Sequence, residues 1–178
     1  MSGHNKWAQI KHKKALTDKK RSAEFGKLAQ AISIAARDNP DPKTNLRLKG
    51  IIDKARSLNM PNENVERAIR RVNDRSAAAL EEIIFEIIVP NNIACIVTAI
   101  TDNRNRTLNE LRTLAAGLNA RVAESGSLLW MFKRTGTEFE PTYQIPLSPE
   151  HQIKLENILE TIHEHPEVQD IFTNAELL

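Results

Sequence analysis

The residues best equipped for chemistry in this chain of 178 residues lie in three stretches. The first is its opening, MSGHNKWAQIKHKKALTDKK. Lys6, Lys11, Lys13, Lys14, Lys19, Lys20 and Arg21 are seven cations among the first 21 residues, and Asp18 is the sole acid among them. Such a run neutralises phosphates and releases their counterions, which gives affinity without sequence preference. Trp7 offers a face on which a base can stack, and His4 and His12 offer donors to phosphate or sugar. In the competing reading Trp7 plugs a helical core and the lysines keep the arm soluble. A zinc site at His4 and His12 would need two further ligands that the arm does not supply.

The second stretch is TDNRNRT. Arg104 and Arg106 flank Asn105 just ahead of a helical pattern, where free N–H groups and two guanidinium groups would together hold a phosphate or carboxylate. Asp102, Asn103 and Asn105 are turn formers. Alternatively this is only a strand-to-helix turn whose arginines pair with Glu110 or Glu124. The third stretch is ESGSLLWMF. Ser125 lacks the glycine two residues ahead that a nucleophile elbow needs, so Ser125-Gly126-Ser127 reads as a tight turn. Trp130 and Phe132 would share one face of a following strand and Leu129 and Met131 the other, the pattern of a buried strand or an interface. Asp102 and Glu124 are available as an acid–base pair, but nothing in the pattern requires it. Cys95 lies in an apolar run and reads as core. His151, His163 and His165 read as the surface and end of a helix. No P-loop, dinucleotide fingerprint or zinc-deaminase signature is present. The reading is of a non-enzyme with no catalytic residue, no metal, no cofactor and no small-molecule substrate.

These stretches need elements to position them. Phe25, Leu28, Ala29, Ile32, Ala35 and Ala36 recur at helical spacing, as do Leu48, Ile51, Ile52, Ala55 and Leu58, and then Val65, Ala68, Ile69 and Val72. DNPDPKTN and LNMPNEN separate them, with Asn59 or Asn62 as a cap. Three amphipathic helices bury one another's stripes as a bundle. Their outer faces are expected to keep Lys27, Arg37, Arg47, Lys49, Lys54, Arg56, Arg67, Arg70 and Arg71. NDRSAAALE reads as the junction. Beyond it the period changes. IIFEIIV and IACIVTAIT are β-branched runs around PNN, a hairpin-like pair. Thr107 and Glu110 have capping-box spacing ahead of a helix. ARVAE and LLWMFKR read as strands joined by SGS, with TYQIPL as a further short strand. Ser148 and Pro149 open a last helix, and VQDIFTN closes as a strand. The expected class is α + α/β: a basic arm and three-helix bundle over 1–76, then a ferredoxin-like α+β sandwich over 77–178, one sheet covered by two helices.

Charge divides the chain at the same place. Residues 1–75 hold 18 Lys and Arg against 8 Asp and Glu, a net of +10; residues 76–178 hold 7 against 15, a net of −8. The whole is +2. That asymmetry points to a polyanion partner for the first half. No apolar stretch reaches the roughly 20 residues of a membrane helix. The opening lacks the apolar core of a secretory signal, and its lysine bias sets it apart from a transit peptide. A lone cysteine excludes a disulfide framework and fits a reducing compartment. A cytoplasmic protein without a membrane partner is expected.

Four stretches taken together, MSGHNKWAQIKHKKALTDKKR, LNMPNENVERAI, TDNRNRT and ESGSLLWMF, resemble the YebC family. Its members have been described as transcriptional regulators and, in later work, as factors acting in translation, among them a mitochondrial activator of cytochrome oxidase synthesis. The resemblance implies a basic three-helix domain followed by α/β domains. It implies function at Lys6, Trp7, Lys11, His12, Lys14, Lys20 and Arg21, at Lys54 and Arg67, and at Arg104 and Arg106; Lys13 and Lys19 join them on charge. Two departures stand out. The family's glycine-rich YEGYGPGG loop is here Phe85-Glu86-Ile87-Ile88-Val89-Pro90-Asn91-Asn92, so four glycines are replaced, at 87, 89, 91 and 92. An inserted third domain is also expected to be missing, since only about ten residues separate Phe132 from Tyr143. The expected function is nucleic-acid-binding regulation, with rRNA or the ribosome favoured as partner and duplex DNA as the alternative.

Overall fold

The computed structural model describes residues 17–73 and 79–177. They form two compact units: residues up to 81 together with 100–103, and 82–99 together with 104–177. The junction residues 74–78 lie outside the described residues.

In the first unit α1 spans Asp18–Asp38, α2 Leu46–Ser57 and α3 Asn62–Arg70. Thr17 opens α1, its hydroxyl accepting from the Lys20 N–H at 3.4 Å. Asn45 opens α2 through the Leu48 N–H at 3.0 Å, each satisfying a donor that the first helical turn leaves free. The stripes read from the sequence meet in one core. Leu28, Ile32 and Ala35 of α1, Leu48, Ile52 and Ala55 of α2, and Val65 and Ala68 of α3 are buried together with Met60. The Ser33 hydroxyl, also buried, donates to Ala68 O at 2.8 Å and ties α1 to α3.

Two expectations change here. Lys27, expected on the outer face, is buried, because it follows Glu24 by three residues and adjoins Leu28 on the packed side of α1. Asn59, expected to start a helix, instead ends one. At φ 60° it directs its own N–H to Arg56 O and the Met60 N–H to Ala55 O, both at 2.9 Å, the Schellman closure of α2. Pro61 then takes the N-cap position of α3 without a side-chain bond.

The second unit is built on β1 (Glu81–Val89), β2 (Ile93–Thr101), α4 (Arg104–Gly117), β3 (Arg121–Val122), β4 (Phe132–Thr135), β5 (Glu138–Pro141), β6 (Ile145–Pro146), α5 (Pro149–His163), β7 (Val168–Thr173) and β8 (Ala175–Glu176). The main sheet runs β3–β1–β2–β7. The β2–α4–β3 connection passes over β1, the split β–α–β crossover of ferredoxin-like sandwiches. β7 lies antiparallel to β2, with Cys95 opposite Thr173 and Ala99 opposite Val168. Ile83, Phe85, Ile87 and Val89 of β1 and Ile93, Cys95 and Val97 of β2 pack with Leu111 and Ala115 of α4 and Leu155, Leu159 and Ile162 of α5. Ala94 and Ile96 point the other way and are covered, with Phe172, by Leu128, Phe132 and Phe139 around the β4–β5 hairpin. Burial on both faces is why β1 and β2 read as unbroken apolar runs instead of alternating ones. Ser148 caps α5 by accepting from the His151 N–H at 3.3 Å, with Pro149 in the first turn, as the sequence indicates. Among the described residues the class is thus α+β, helices followed by a mixed unit.

The β1–β2 turn accounts for two of the replaced glycines. Asn91 and Asn92 stand at φ 67° and 58°, the consecutive left-handed pair that a tight hairpin demands and that Asn tolerates better than other side-chain-bearing residues. At the other two positions Ile87 and Val89 are extended and buried. The stretch from Phe132 to Tyr143 is occupied by β4 and β5.

Three further readings are corrected. LLWMFKR is not one strand: Leu129–Met131 forms a 3-10 turn and β4 starts at Phe132. Thr107 is not a cap, because α4 already begins at Arg104; the Thr101 hydroxyl accepts from the Asn103 N–H at 2.8 Å and turns the chain earlier. His163 is buried and not on a helix surface.

Candidate nucleic-acid interface

Lys6, Trp7, Lys11, His12, Lys13 and Lys14 lie outside the described residues. The basic run continues into α1, where Lys19, Lys20 and Arg21 are exposed. All three fall in the first turn of a helix 21 residues long, with Asp18 as the first-turn acid. A helix N-terminus carries partial positive charge, so cations there are unfavourable by about 0.3–1 kcal/mol each. Arg21 lies 3.8 Å from Asp18, an exposed pair that offsets little of this. These charges act against the stability of their own helix.

Along α2, Arg47 and Lys54 are seven residues apart, and so are Lys49 and Arg56; all four are exposed. Helical geometry puts these two columns on either side of the buried Leu48–Ile52–Ala55 stripe. On α3, Arg67 and Arg70 are exposed opposite buried Val65 and Ala68. Arg70 lies 3.7 Å from Glu66 and Arg56 3.9 Å from Asp53. Arg37 is engaged in another way: its guanidinium donates to Leu80 O at 2.7 Å.

The TDNRNRT stretch folds as a turn into α4, and its two arginines part company. Arg104 is exposed at the first helical position. Arg106 makes an ion pair with Glu167 and lies 3.9 Å from Glu110. The buried Thr107 hydroxyl donates to the same Glu167 carboxylate. The Glu167 N–H donates to His165 Nδ1 at 3.3 Å, which leaves the His165 proton on Nε2 to donate to Glu110 Oε2 at 3.0 Å. Arg106 therefore belongs to a network with Thr107, Glu110, His165 and Glu167. The pairing with Glu110 was one of the sequence readings; Glu167, sixty-one residues on, gave no local signal. Glu110 and His165 also border an open groove of about 650 Å³ whose other walls are Asn109, Thr113, Leu114, Gly117 and Leu118.

In ESGSLLWMF the tight turn is present: the Ser127 N–H donates to Glu124 O at 3.0 Å, and Gly126 takes φ 85°. What holds it is Glu86, a buried residue of β1. Its carboxylate accepts from the Gly126 N–H and, at 2.6 Å, from the Leu128 N–H. A single acid inside IIFEIIV was the available signal, since a buried carboxylate must find donors. The clamp delays β4 until Phe132 and leaves Trp130 exposed. Cys95 is core as read; burial pushes its thiol up to about 12, with a weaker opposing hydrogen bond from Thr173. Among the described residues no cluster of three His, Cys, Asp or Glu side chains is placed to hold a metal ion, and no helix is long and apolar enough to cross a membrane.

Comparison with known proteins matches the chain over two successive stretches. Residues 5–75 match the TACO1/YebC protein N-terminal domain, and residues 80–137 match the TACO1/YebC second and third domain. The chain belongs to the TACO1/YebC family. A relative from Syntrophomonas wolfei, called "Probable transcriptional regulatory protein", is 48% identical over 139 residues, covering 76% of this chain and 55% of its own length. One of the same description from Fervidobacterium nodosum is 47% identical over 138 residues, covering 76% and 55%. The chain thus spans about half the length of these curated relatives. The crystal structure of a conserved hypothetical protein from Aquifex aeolicus superposes with a TM-score of 0.84 at 27% identity, covering 97% of each chain. The two chains therefore share a fold.

Proposed function

We propose that this TACO1/YebC member is a nucleic-acid-binding regulatory protein without catalytic chemistry, and that its basic helical unit grips the phosphate backbone through Lys19, Lys20, Arg21, Lys54 and Arg67. One observation carries the reading. Three successive cations occupy the first turn of α1, where the helix dipole opposes them. Charges placed against a local rule mark function, and phosphate is the partner that gains from them.

RNA, and the ribosome in particular, is the favoured target. The outward side of α3 mixes Glu63 and Glu66 with Arg67 and Arg70, and Glu66 pairs with Arg70. Acids on that face suit a major-groove recognition helix poorly, because it must pass between two phosphate strands. The resemblance to family members acting in translation points the same way. Duplex DNA is the second reading, favoured by the description of the relatives as transcriptional regulators.

Co-sedimentation of the full chain with ribosomal subunits at moderate salt, with duplex DNA as competitor, separates the two. Pelleting that survives excess DNA is expected. Displacement by DNA, with no recovery on subunits alone, would transfer the assignment to DNA.

A further inference from the structure

Trp130 is the member of the run Leu128–Phe132 that the core does not take up. Leu128 and Phe132 are buried, and Leu129 and Met131 pack against the same cluster. Trp130 is 67% exposed, although an aromatic side chain carries about 200 Å² that burial would remove from water. The backbone beneath it is firmly held. The Leu128 N–H donates to Glu86 at 2.6 Å and the Met131 N–H to Leu128 O at 3.0 Å. Met131 O accepts the Thr142 N–H at 2.9 Å and the Thr142 hydroxyl at 3.0 Å. These two hydrogen bonds join the segment bearing Trp130 to the segment bearing Tyr143, which is 43% exposed. Gln144, next along, is exposed as well.

We propose that Trp130, with Tyr143 on the cross-bonded segment, is a stacking platform for unpaired nucleobases. The inference rests on the nucleic-acid reading and adds to it a contact with single strands. A base offers its π-face only when it is unstacked, and stacking on an aromatic ring is indifferent to sequence. A protein partner would instead call for a contiguous apolar centre around the ring. Here the flanking Leu128 and Phe132 are buried and Leu129 and Met131 pack against the same core cluster, so this run spends its other apolar side chains on the core. Charge is not the attraction. Lys133 and Arg134 are balanced by Glu138 and Glu140 on the paired strand, and Arg134 lies 5.5 Å over the Phe139 ring. The platform's contribution is therefore insensitive to salt, unlike that of the lysines.

Fluorescence anisotropy of the full chain tests this with a uridine strand of about ten nucleotides and an RNA hairpin duplex, over about 50–200 mM salt. Trp130→Ala is expected to weaken binding of the strand about tenfold, the loss of one stacked base. Affinity for the duplex and the salt slope should stay as they were. Trp130→Phe, which keeps a ring, should retain most of the affinity. In a Trp7→Phe background, the strand should quench the remaining emission. Equal affinity of Trp130→Ala and the unaltered chain for the strand overturns the platform and leaves Trp130 to a protein partner, while the basic-face reading stands. If the unaltered chain binds neither oligonucleotide, the nucleic-acid reading fails and the platform with it.

Discussion

Arg106 shows how a cation that looks free in a sequence is committed in a fold. Its guanidinium sits on Glu167, which also takes the Thr107 hydroxyl, and Glu110 links the pair to His165. The Glu167 side chain is only 11% exposed, so removing its cation strands a nearly buried carboxylate. Arg106→Ala is expected to lower stability by about 2 kcal/mol, below the full cost of breaking a buried pair because Arg106 is itself partly in water. Urea titration reads this as a lower midpoint, with nucleic-acid affinity unchanged. Lost affinity at an unchanged midpoint would return Arg106 to the interface. Arg104, exposed at the first helical position, remains a candidate contact. Two residues apart in TDNRNRT, these arginines cannot be told apart from the motif, because Glu167 arrives from beyond α5.

At the scale of elements, asparagine does the work often done by glycine. Asn59 closes α2 at φ 60°, Asn91 and Asn92 turn the β1–β2 hairpin, and Asn119 closes α4 at φ 55° with the Ala120 N–H on Ala115 O at 2.9 Å. Asn59→Val should cost about 1–2 kcal/mol, since a β-branched residue is strained there, whereas Asn59→Gly should be neutral or stabilising. Thermal melts of the two variants check this; equal melting temperatures would mean that the closure is dispensable. The helices were legible because Leu28–Ile32–Ala35 and Leu48–Ile52–Ala55 keep a strict helical period. The doubly buried β1 and β2 were legible from their β-branched content. The break at Leu129–Met131 was not, because its cause is the Glu86 carboxylate some forty residues away. The exposure of Trp130 follows from that break, which an unbroken apolar run hid. The start of α4 was misplaced for a similar reason: a buried Thr101 hydroxyl sets the turn before Thr107 can act as a cap.

Across the whole molecule, charge and fold divide together. The net of +10 over residues 1–75 coincides with the matched N-terminal domain, and the net of −8 over 76–178 belongs to the sheet-bearing part. A cationic surface raises both affinity and encounter rate with a polyanion. An aromatic platform on a unit with no positive excess would add contact with bases without adding to the salt dependence. The central claim is that the cations at the head of α1 are kept for phosphate at the expense of their own helix. Lys19→Glu combined with Lys20→Glu, measured for melting temperature and for salt-dependent nucleic-acid binding on the same preparation, tests it most directly. The account predicts a melting temperature that holds or rises, together with an affinity at least tenfold weaker and a log–log salt slope reduced by roughly 1–2. Unchanged affinity and slope in a protein that has become more stable would contradict it.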